Sequence, residues 1–479
     1  MGSNEMLIGG KWQSAVSRDT IPMYSPSDGK EIGHIARGTA VDVDKAVAAA
    51  RRAFDGAWGN MAALERGRLM SRLAALILDH HEELAQIEAA DTGKPLTQAR
   101  TDVTVCARYF EFYGGAADKL HGETIPYLNG YQVIILREPR GVTGHIIPWN
   151  YPISMFGRTL GPALAAGNTS VLKPAEEACL GIMRLAEIAT EAGFPDGVIN
   201  VVTGYGEEAG AALSVHRGID FISFTGSPEI GTLVQTAAAR NHIPCMLELG
   251  GKSPQIIFED VNYEAAIEAV IKAIVQNAGQ TCSAGSRVLL QRSIYESFMR
   301  SLSQRFSRVR VGSHTADLDC GAVISRQQKQ RVESFLHGAR DSGLEVVATG
   351  MLDKSADPNG YFVTPTLFGL VPEGNDLARE EVFGPVLAVV PFDDETDALR
   401  IANGTDFGLV CGIWTENGAR QMRMAKRVKA GQVFINSYGA GGGVELPFGG
   451  VKKSGHGREK GLEALREFTV AKTVVFNHG

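Results

Sequence analysis

Short apolar runs alternate with helical stretches along most of this chain, and that alternation restricts it to very few architectures. A strand pattern at 141–147 is followed by a helical pattern at 157–166, strand 169–173, helix 177–192, strand 197–202, helix 207–214 and strand 221–224. Parallel neighbours need a crossover of about a dozen residues, usually a helix, whereas antiparallel neighbours need only a turn. The spacing therefore predicts an α/β fold built on a doubly wound parallel sheet. A second series begins near Gly250 with strand 255–258, helix 263–277, strand 287–291 and helix 293–308. It continues with strands 344–349 and 386–391, helix 395–402, strand 410–414, helix 418–428 and strand 432–435.

At 479 residues the chain exceeds what one core ordinarily covers, so two or three domains are expected. Ahead of the first series, 42–55 carries apolar residues at helical spacing after a polar start. Residues 61–91 read as further helix, stopped by Thr92-Gly93-Lys94-Pro95. Two strand patterns, 130–137 and 469–476, fit neither series. Edges of that kind pair with something, either another subunit or each other within one chain.

Composition removes several function classes. A net charge of -7 and a pI near 5.9 supply no basic stripe, which argues against a nucleic-acid partner. The six cysteines, at 106, 179, 245, 282, 320 and 411, form no CxxC pair, so neither a zinc site nor a disulfide framework is signalled. No metal site is expected, and the cysteine usage suits a reducing cytoplasm. The start, Met1-Gly2-Ser3-Asn4-Glu5-Met6, lacks the features of a signal peptide, and no apolar run approaches a membrane span. The expectation is a cytoplasmic protein with no membrane partner.

Chemistry concentrates in a few segments. Cys282 lies in the loop Gln280-Thr281-Cys282-Ser283-Ala284-Gly285, and Glu248 sits beside a double glycine in Leu247-Glu248-Leu249-Gly250-Gly251-Lys252. A thiol nucleophile with a separate carboxylate base suits acyl chemistry through a thioester, although most unpaired cysteines simply pack. Pro148-Trp149-Asn150-Tyr151-Pro152 holds an amide in a turn stiffened by two prolines, as an oxyanion hole requires and as an ordinary turn also permits. Three segments suit a dinucleotide. Gly204-Tyr205-Gly206 with Gly210 follows a strand, but its spacing departs from the Rossmann fingerprint and also suits a tight turn. Phe224-Thr225-Gly226-Ser227 ends a strand and opens a helix, where N–H groups favour phosphate and Ser227 equally suits an N-cap. Val171-Leu172-Lys173-Pro174-Ala175-Glu176 places a carboxylate after a strand, to accept ribose hydroxyls or merely to be solvated.

Together these segments resemble the NAD(P)-dependent aldehyde dehydrogenases, from about residue 5 to the C-terminus. The motifs that carry the resemblance are PWNYP at 148–152, VLKPAE at 171–176, FTGS at 224–227 and LELGGKSP at 247–254. GQTC at 279–282, EEVFGPV at 380–386 and PFGGVKKSGHGRE at 447–459 complete it, in family order. The resemblance implies a coenzyme domain over 1–120 and 140–250, a catalytic domain over 251–452, and an oligomerisation arm from 121–139 and 460–479. It implies Cys282 as nucleophile, Glu248 as general base and Asn150 as oxyanion donor. Coenzyme contacts are implied at Ile147, Trp149, Lys173, Glu176, Gly206, Gly210, Phe224, Gly226, Ser227, Glu381 and Phe383. A substrate tunnel is implied at Tyr151, Met155, Arg158, Thr281, Ser283 and Phe448. The family's arm strands match the two leftover edge segments, which favours pairing between subunits in a homodimer or homotetramer.

Two departures stand out. Relatives carry an aromatic residue followed by Lys after PWNYP, where this chain has Arg158 and Thr159. The facing wall, 437–445, is rich in glycine where relatives place bulk. Arg158 can stack on a ring or pair with a carboxylate of the substrate, or it can point into a structural ion pair and leave the tunnel ordinary. The implied activity is hydrolytic oxidation of an aromatic or bulky aldehyde, with Glu176 favouring NAD over NADP. The alternatives are an ω-carboxylated semialdehyde as substrate, CoA rather than water as acyl acceptor, or a non-catalytic binding protein on the same scaffold.

Overall fold

The computed structural model describes residues 4–439 and 443–479, and each strand–helix series folds into its own sheet. The first is eight-stranded, in the order Lys11–Ser14, Glu5–Ile8, Ile199–Val201, Thr169–Lys173, Val142–Ile146, Phe221–Thr225, Cys245–Glu248, Gly455–His456. Its inner strands are parallel and its outer pairings antiparallel. The strands Val142–Ile146 and Thr169–Lys173 are buried throughout, although Thr143, His145, Thr169, Ser170 and Lys173 interrupt their apolar pattern. Alternate side chains feed different cores. Leu172 and Phe221 pack with helices Pro152–Ala165 and Leu180–Glu191, whereas Val171 and Ile222 pack with helices Ala40–Asp55 and Pro228–Ala239.

The parallel part of this sheet begins at Val142–Ile146, winds outward through Thr169–Lys173 and Ile199–Val201, then returns to the other side at Phe221–Thr225. That reversal opens a crevice beyond the carboxyl ends of the two neighbouring strands. The second sheet runs Val346–Thr349, Thr366–Phe368, Val386–Phe392, Arg287–Gln291, Pro254–Ile257, Val410–Trp414, Gln432–Ile435. Val346–Thr349 is antiparallel to its neighbour and the other pairs are parallel.

The leftover segments correct one expectation. Thr469–Asn477 pairs antiparallel with Tyr131–Pro139 along its whole length, Val475 opposite Val133, and Glu123–Ile125 adds a third strand. They satisfy each other within one chain, because the C-terminus returns beside residue 131. The other edge of Thr469–Asn477 has no neighbouring strand among the described residues, and Val475 and Phe476 are exposed there.

Helical expectations shift at informative places. Residues 61–91 form two helices, Ala63–Asp79 and His81–Thr92, the second closed by Gly93 at φ 77°, a left-handed cap that favours glycine. The expected helix 263–277 ends at Val275, since Asn277 and Ala278 are left-handed at φ 48° and 53° and swing the chain toward Cys282. The stretch expected as helix over 207–214 opens with a wide turn at Gly206–Gly210 before Ala211–Ser214. Helices Leu96–Ala116 and Arg326–Asp341 and the N-terminal strands were not foreseen. Leu96–Ala116 carries five β-branched residues in its first ten and two glycines near its end, so it is its buried face on helices Ala63–Asp79 and Pro152–Ala165 that holds it helical. Among the described residues no helix is long and apolar enough to cross a membrane.

Candidate active site

The carboxyl ends of the first sheet face the amino ends of the second, because the chain passes from Glu248 to Pro254 through residues 249–253 alone. Pro148–Tyr151 leave strand Val142–Ile146 and Gly226–Ser227 leave strand Phe221–Thr225, the two strands flanking the reversal. Cys282 arrives just before strand Arg287–Gln291. Between them lies a cavity of about 1220 Å³ lined by Cys282, Glu248 and Asn150. Tyr151, Met155, Arg158, Thr281, Ser283 and Phe448 line it too, so every expected tunnel residue faces the expected nucleophile's cavity.

Asn150 is buried and held from several sides. Its Nδ2 donates to the Gln280 carbonyl (2.9 Å), and its own carbonyl accepts from Lys94 Nζ (3.1 Å) and Asn277 Nδ2 (2.8 Å). Lys94 is fully buried, donating also to Glu88 (2.8 Å) and Asp102 (2.6 Å), with its ammonium 4.5 Å from the centre of the Tyr151 ring. The Tyr151 hydroxyl lies 2.7 Å from Thr281 Oγ1, which ties the PWNYP turn to the cysteine loop. A Cβ on Gly279 would come within 2.2 Å of the Gly384 carbonyl, so that loop packs against the Phe383–Gly384 backbone only because position 279 is glycine. Among the described residues nothing accepts from the Cys282 backbone N–H. Burial pushes the Cys282 thiol up to about 12, against the opposing pull of Arg158.

Glu248 closes strand Cys245–Glu248 and is 2% exposed, with neither carboxylate oxygen hydrogen-bonded. Burial, then the charge of Glu459, pushes it well above the usual carboxylate range. Glu459 forms a buried ion pair with Arg158, whose guanidinium lies 4.3 Å from the centre of the Phe448 ring. Arg158 therefore does both things the sequence left open, facing the tunnel and joining an ion pair. Thr159, where relatives have Lys, turns into the sheet; its hydroxyl shares hydrogen bonds with His145 (2.5 Å) and Ser223 (3.2 Å).

Nine of the eleven expected coenzyme residues fall into two groups, and Ile147 and Phe224 lie in the core. Lys173, Glu176, Gly206 and Gly210 gather at the end of strand Thr169–Lys173, outside the main cavity lining. Lys173 Nζ pairs with Glu176 (2.8 Å), the Gly206 N–H donates to the same carboxylate (3.4 Å), and Gly210 would bring a Cβ to 3.9 Å from the Lys173 chain. Trp149, Gly226, Ser227, Glu381 and Phe383 line the main cavity. Ser227 caps helix Pro228–Ala239, its Oγ accepting from the Ile230 N–H (3.3 Å). Phe224 and Ile147 are 3% exposed each and act by packing and backbone. A Cβ on Gly226 would strike the Phe224 ring, and the Ile147 N–H donates to the Lys173 carbonyl.

Glu381 accepts from the Gly251 N–H (2.8 Å), and burial raises it to about 7. Phe383 takes a left-handed φ of 57°, rare for a bulky residue, and lies edge-on to Trp149 at 5.4 Å. The arrangement fits a dinucleotide. Carboxylates wait at both ends for ribose hydroxyls, a helix N-terminus lies between, and the Thr225 hydroxyl, which faces the cavity, is buried without a hydrogen-bond partner.

Sequence reasoning missed Lys94 and Lys460, and gave Tyr438 no role of its own within the facing wall 437–445. Tyr438 donates its hydroxyl to the Ser283 carbonyl (2.7 Å), and Lys460 Nζ lies 5.4 Å from the centre of the Phe448 ring. Lys94 sat in plain view after the Gly93 stop signal, and Lys460 directly follows the GRE motif. In the glycine-rich wall, Gly439 lines the cavity, and no atom of the described residues lies within 4 Å of where its Cβ would be. Ala440, Gly441 and Gly442 fall outside the described residues.

The model of the aldehyde dehydrogenase family matches residues 12–474. A Burkholderia cenocepacia protein of known crystal structure is 59% identical, with a TM-score of 0.98 over 99% of this chain and 100% of that one. An aldehyde dehydrogenase from Bacillus cereus, solved as its NAD+ complex, is 40% identical with a TM-score of 0.96, covering 99% of this chain and 96% of that one. The mitochondrial benzaldehyde dehydrogenase of Antirrhinum majus is 40% identical over 476 residues, 98% of this chain and 88% of that protein.

Proposed function

This chain belongs to the aldehyde dehydrogenase family, and on that premise we propose that it oxidises a bulky or aromatic aldehyde to its carboxylic acid through a Cys282 thioester. The observation that carries the reading is the convergence of Cys282, Asn150 and Glu248 on one cavity. NAD, the cofactor of the Bacillus cereus relative, supplies the hydride acceptor when bound.

The chain's own residues do the rest. Cys282 first gives up its thiol proton to solvent, the thiolate sulfur adds to the aldehyde carbon, and the carbonyl electron pair moves onto oxygen. The Asn150 amide and the Cys282 backbone N–H stabilise that oxyanion, each fixed before the substrate arrives. When the oxyanion collapses, hydride leaves the carbon and a thioester remains. Ionised Glu248 then takes a proton from water as the water oxygen attacks, the C–S bond breaks, and the acid departs with the thiolate restored. Glu248 lies in a pocket dry enough to raise its basicity, which suits a base aimed at water and argues against CoA as acceptor. A cavity of about 1220 Å³ walled by Tyr109, Tyr151, Tyr438 and Phe448 accommodates a ring or similar bulk.

Trp149, Glu381 and Phe383 are proposed to hold the nicotinamide half of the coenzyme, Gly226 and Ser227 its pyrophosphate, and Lys173 and Glu176 its adenosine ribose. Residues 1–120 and 140–250 are proposed as the coenzyme domain, 251–452 as the catalytic domain, and 121–139 with 460–479 as the arm. The uncovered edge of Thr469–Asn477 is proposed to pair subunits into a dimer or tetramer in the cytoplasm. The test is to mix the protein with benzaldehyde and NAD, with and without CoA, following NADH and identifying the product. NADH with benzoate in both mixtures supports the reading, whereas no NADH, or benzoyl-CoA in place of benzoate, overturns it.

A further inference from the structure

Cys282 occupies the first corner of a tight turn, and that turn is fastened from outside at both ends. The Ala284 N–H donates to the Thr281 carbonyl (2.9 Å), which closes the turn with Cys282 and Ser283 as its central residues. Such a bond sets the shape of the turn but not its place between the two sheets. Placement comes from three neighbours. On one side the Tyr151 hydroxyl lies 2.7 Å from Thr281 Oγ1. On the other the Tyr438 hydroxyl donates to the Ser283 carbonyl at 2.7 Å. Gly251 packs so near that a Cβ on it would lie 2.4 Å from the Cys282 carbonyl oxygen.

The two tyrosines come from different sheets. Tyr151 follows strand Val142–Ile146 of the first sheet and opens helix Pro152–Ala165, whereas Tyr438 follows strand Gln432–Ile435 at the edge of the second. Each ring has its own support. The Lys94 ammonium lies 4.5 Å from the centre of the Tyr151 ring, and the Tyr438 ring rests on Gly412, where a Cβ would come within 2.9 Å of it. Both tyrosines line the cavity of Cys282, and the Ser253 hydroxyl lies beside Tyr438. A ring that only filled space would need no hydroxyl. Here both hydroxyls are spent on the residues immediately before and after the nucleophile.

We propose that Tyr151 and Tyr438 are a pair of positioning residues that hold the Cys282 turn between the two sheets, setting the sulfur and the Cys282 N–H in place before the aldehyde arrives. The inference rests on Cys282 as the nucleophile and adds the residues that orient it. Attack at a carbonyl depends steeply on placement, and a shift of about 1 Å costs about a hundredfold. The same N–H serves the oxyanion in thioester formation and in hydrolysis, so kcat falls whichever step is slower. Either tyrosine alone still fastens one end of the turn, and removing both frees it, so the two losses reinforce each other.

Tyr151→Phe, Tyr438→Phe and the double variant test it, since each substitution keeps the ring and removes one oxygen. Turnover of benzaldehyde with NAD is measured per titrated active site, which discounts misfolded protein. Each single variant should lose about three- to tenfold in kcat, the scale of one neutral hydrogen bond, with KM within about threefold. The double variant should lose at least about twofold beyond the product of the single losses, the lower end of coupling between residues that share a partner. A double loss short of that, or a loss carried by KM in place of kcat, would overturn the proposal. No NADH from the unaltered enzyme, or NADH that persists in Cys282→Ala, would instead contradict the reading of Cys282 on which it rests.

Discussion

Replacing Lys94 by Met should slow catalysis although Lys94 does not line the substrate cavity. Its ammonium, fully buried, spends its hydrogen bonds on Glu88, Asp102 and the carbonyl of Asn150. The variant leaves two buried carboxylates without their cation, a loss of about 3–5 kcal/mol by the usual behaviour of buried pairs. The carboxylates soften that cost by taking up protons, since burial already raises Glu88 to about 6 with Lys94 present. The catalytic effect comes from the third bond. Asn150 keeps its contact with Asn277 but loses a charge-assisted bond worth about 1.5–3 kcal/mol. If most of that bond's energy serves to hold the amide in place for the oxyanion, kcat falls about ten- to a hundredfold. The ceiling is complete loss of one oxyanion donor, about 10²–10³. KM should stay within about threefold, because the groups that meet the ground-state substrate are untouched. The assay is steady-state turnover per titrated active site, alongside thermal unfolding. A folded Lys94→Met enzyme with kcat within twofold of the original, or a loss confined to KM, would refute the positioning role.

As the proposed base, Glu248 would have to be ionised to accept water's proton, and burial raises its pKa, so kcat for a substrate limited by hydrolysis should climb as pH rises through that elevated value. Glu248→Gln should show a burst of NADH followed by little turnover; a lost burst with a steady rate remaining would mean that Glu248 activates the thiol instead. Glu176→Ala should raise kcat/KM with NADP relative to NAD, since the carboxylate that repels a 2′-phosphate is removed while Lys173 stays; an unchanged ratio in coenzyme kinetics would remove Glu176 from the ribose site.

Buried strands were the most legible part of the fold. Arg287–Gln291 and Val410–Trp414 lie where their apolar runs end, since a buried parallel strand carries its signal in its own residues, and the half-buried edge strand Gln432–Ile435 also keeps its expected bounds. Glu5–Ile8 was not legible, because it joins the first sheet by pairing with a strand near residue 200. The same holds for Thr469–Asn477, whose pairing depends on where the C-terminus returns. At the site, motif positions announced Cys282, Glu248 and Asn150, but not the company each keeps. Glu459 meets Arg158 across some 300 residues of chain, and the closeness of Gly279 to the Gly384 carbonyl is a matter of packing alone. Phe224 read as a coenzyme contact because it precedes the Gly226 turn, while its ring lies in the core beneath.

The central claim is a covalent acyl bond at Cys282, and trapping that bond tests it most directly. Glu248→Gln should be mixed with NAD and benzaldehyde, quenched in acid during the NADH burst and digested for mass spectrometry. The account predicts a benzoyl group on the peptide containing Cys282, in an amount matching the burst, and none on Cys106, Cys179, Cys245, Cys320 or Cys411. A burst with no acylated cysteine, or acylation at any of those other positions, would contradict it.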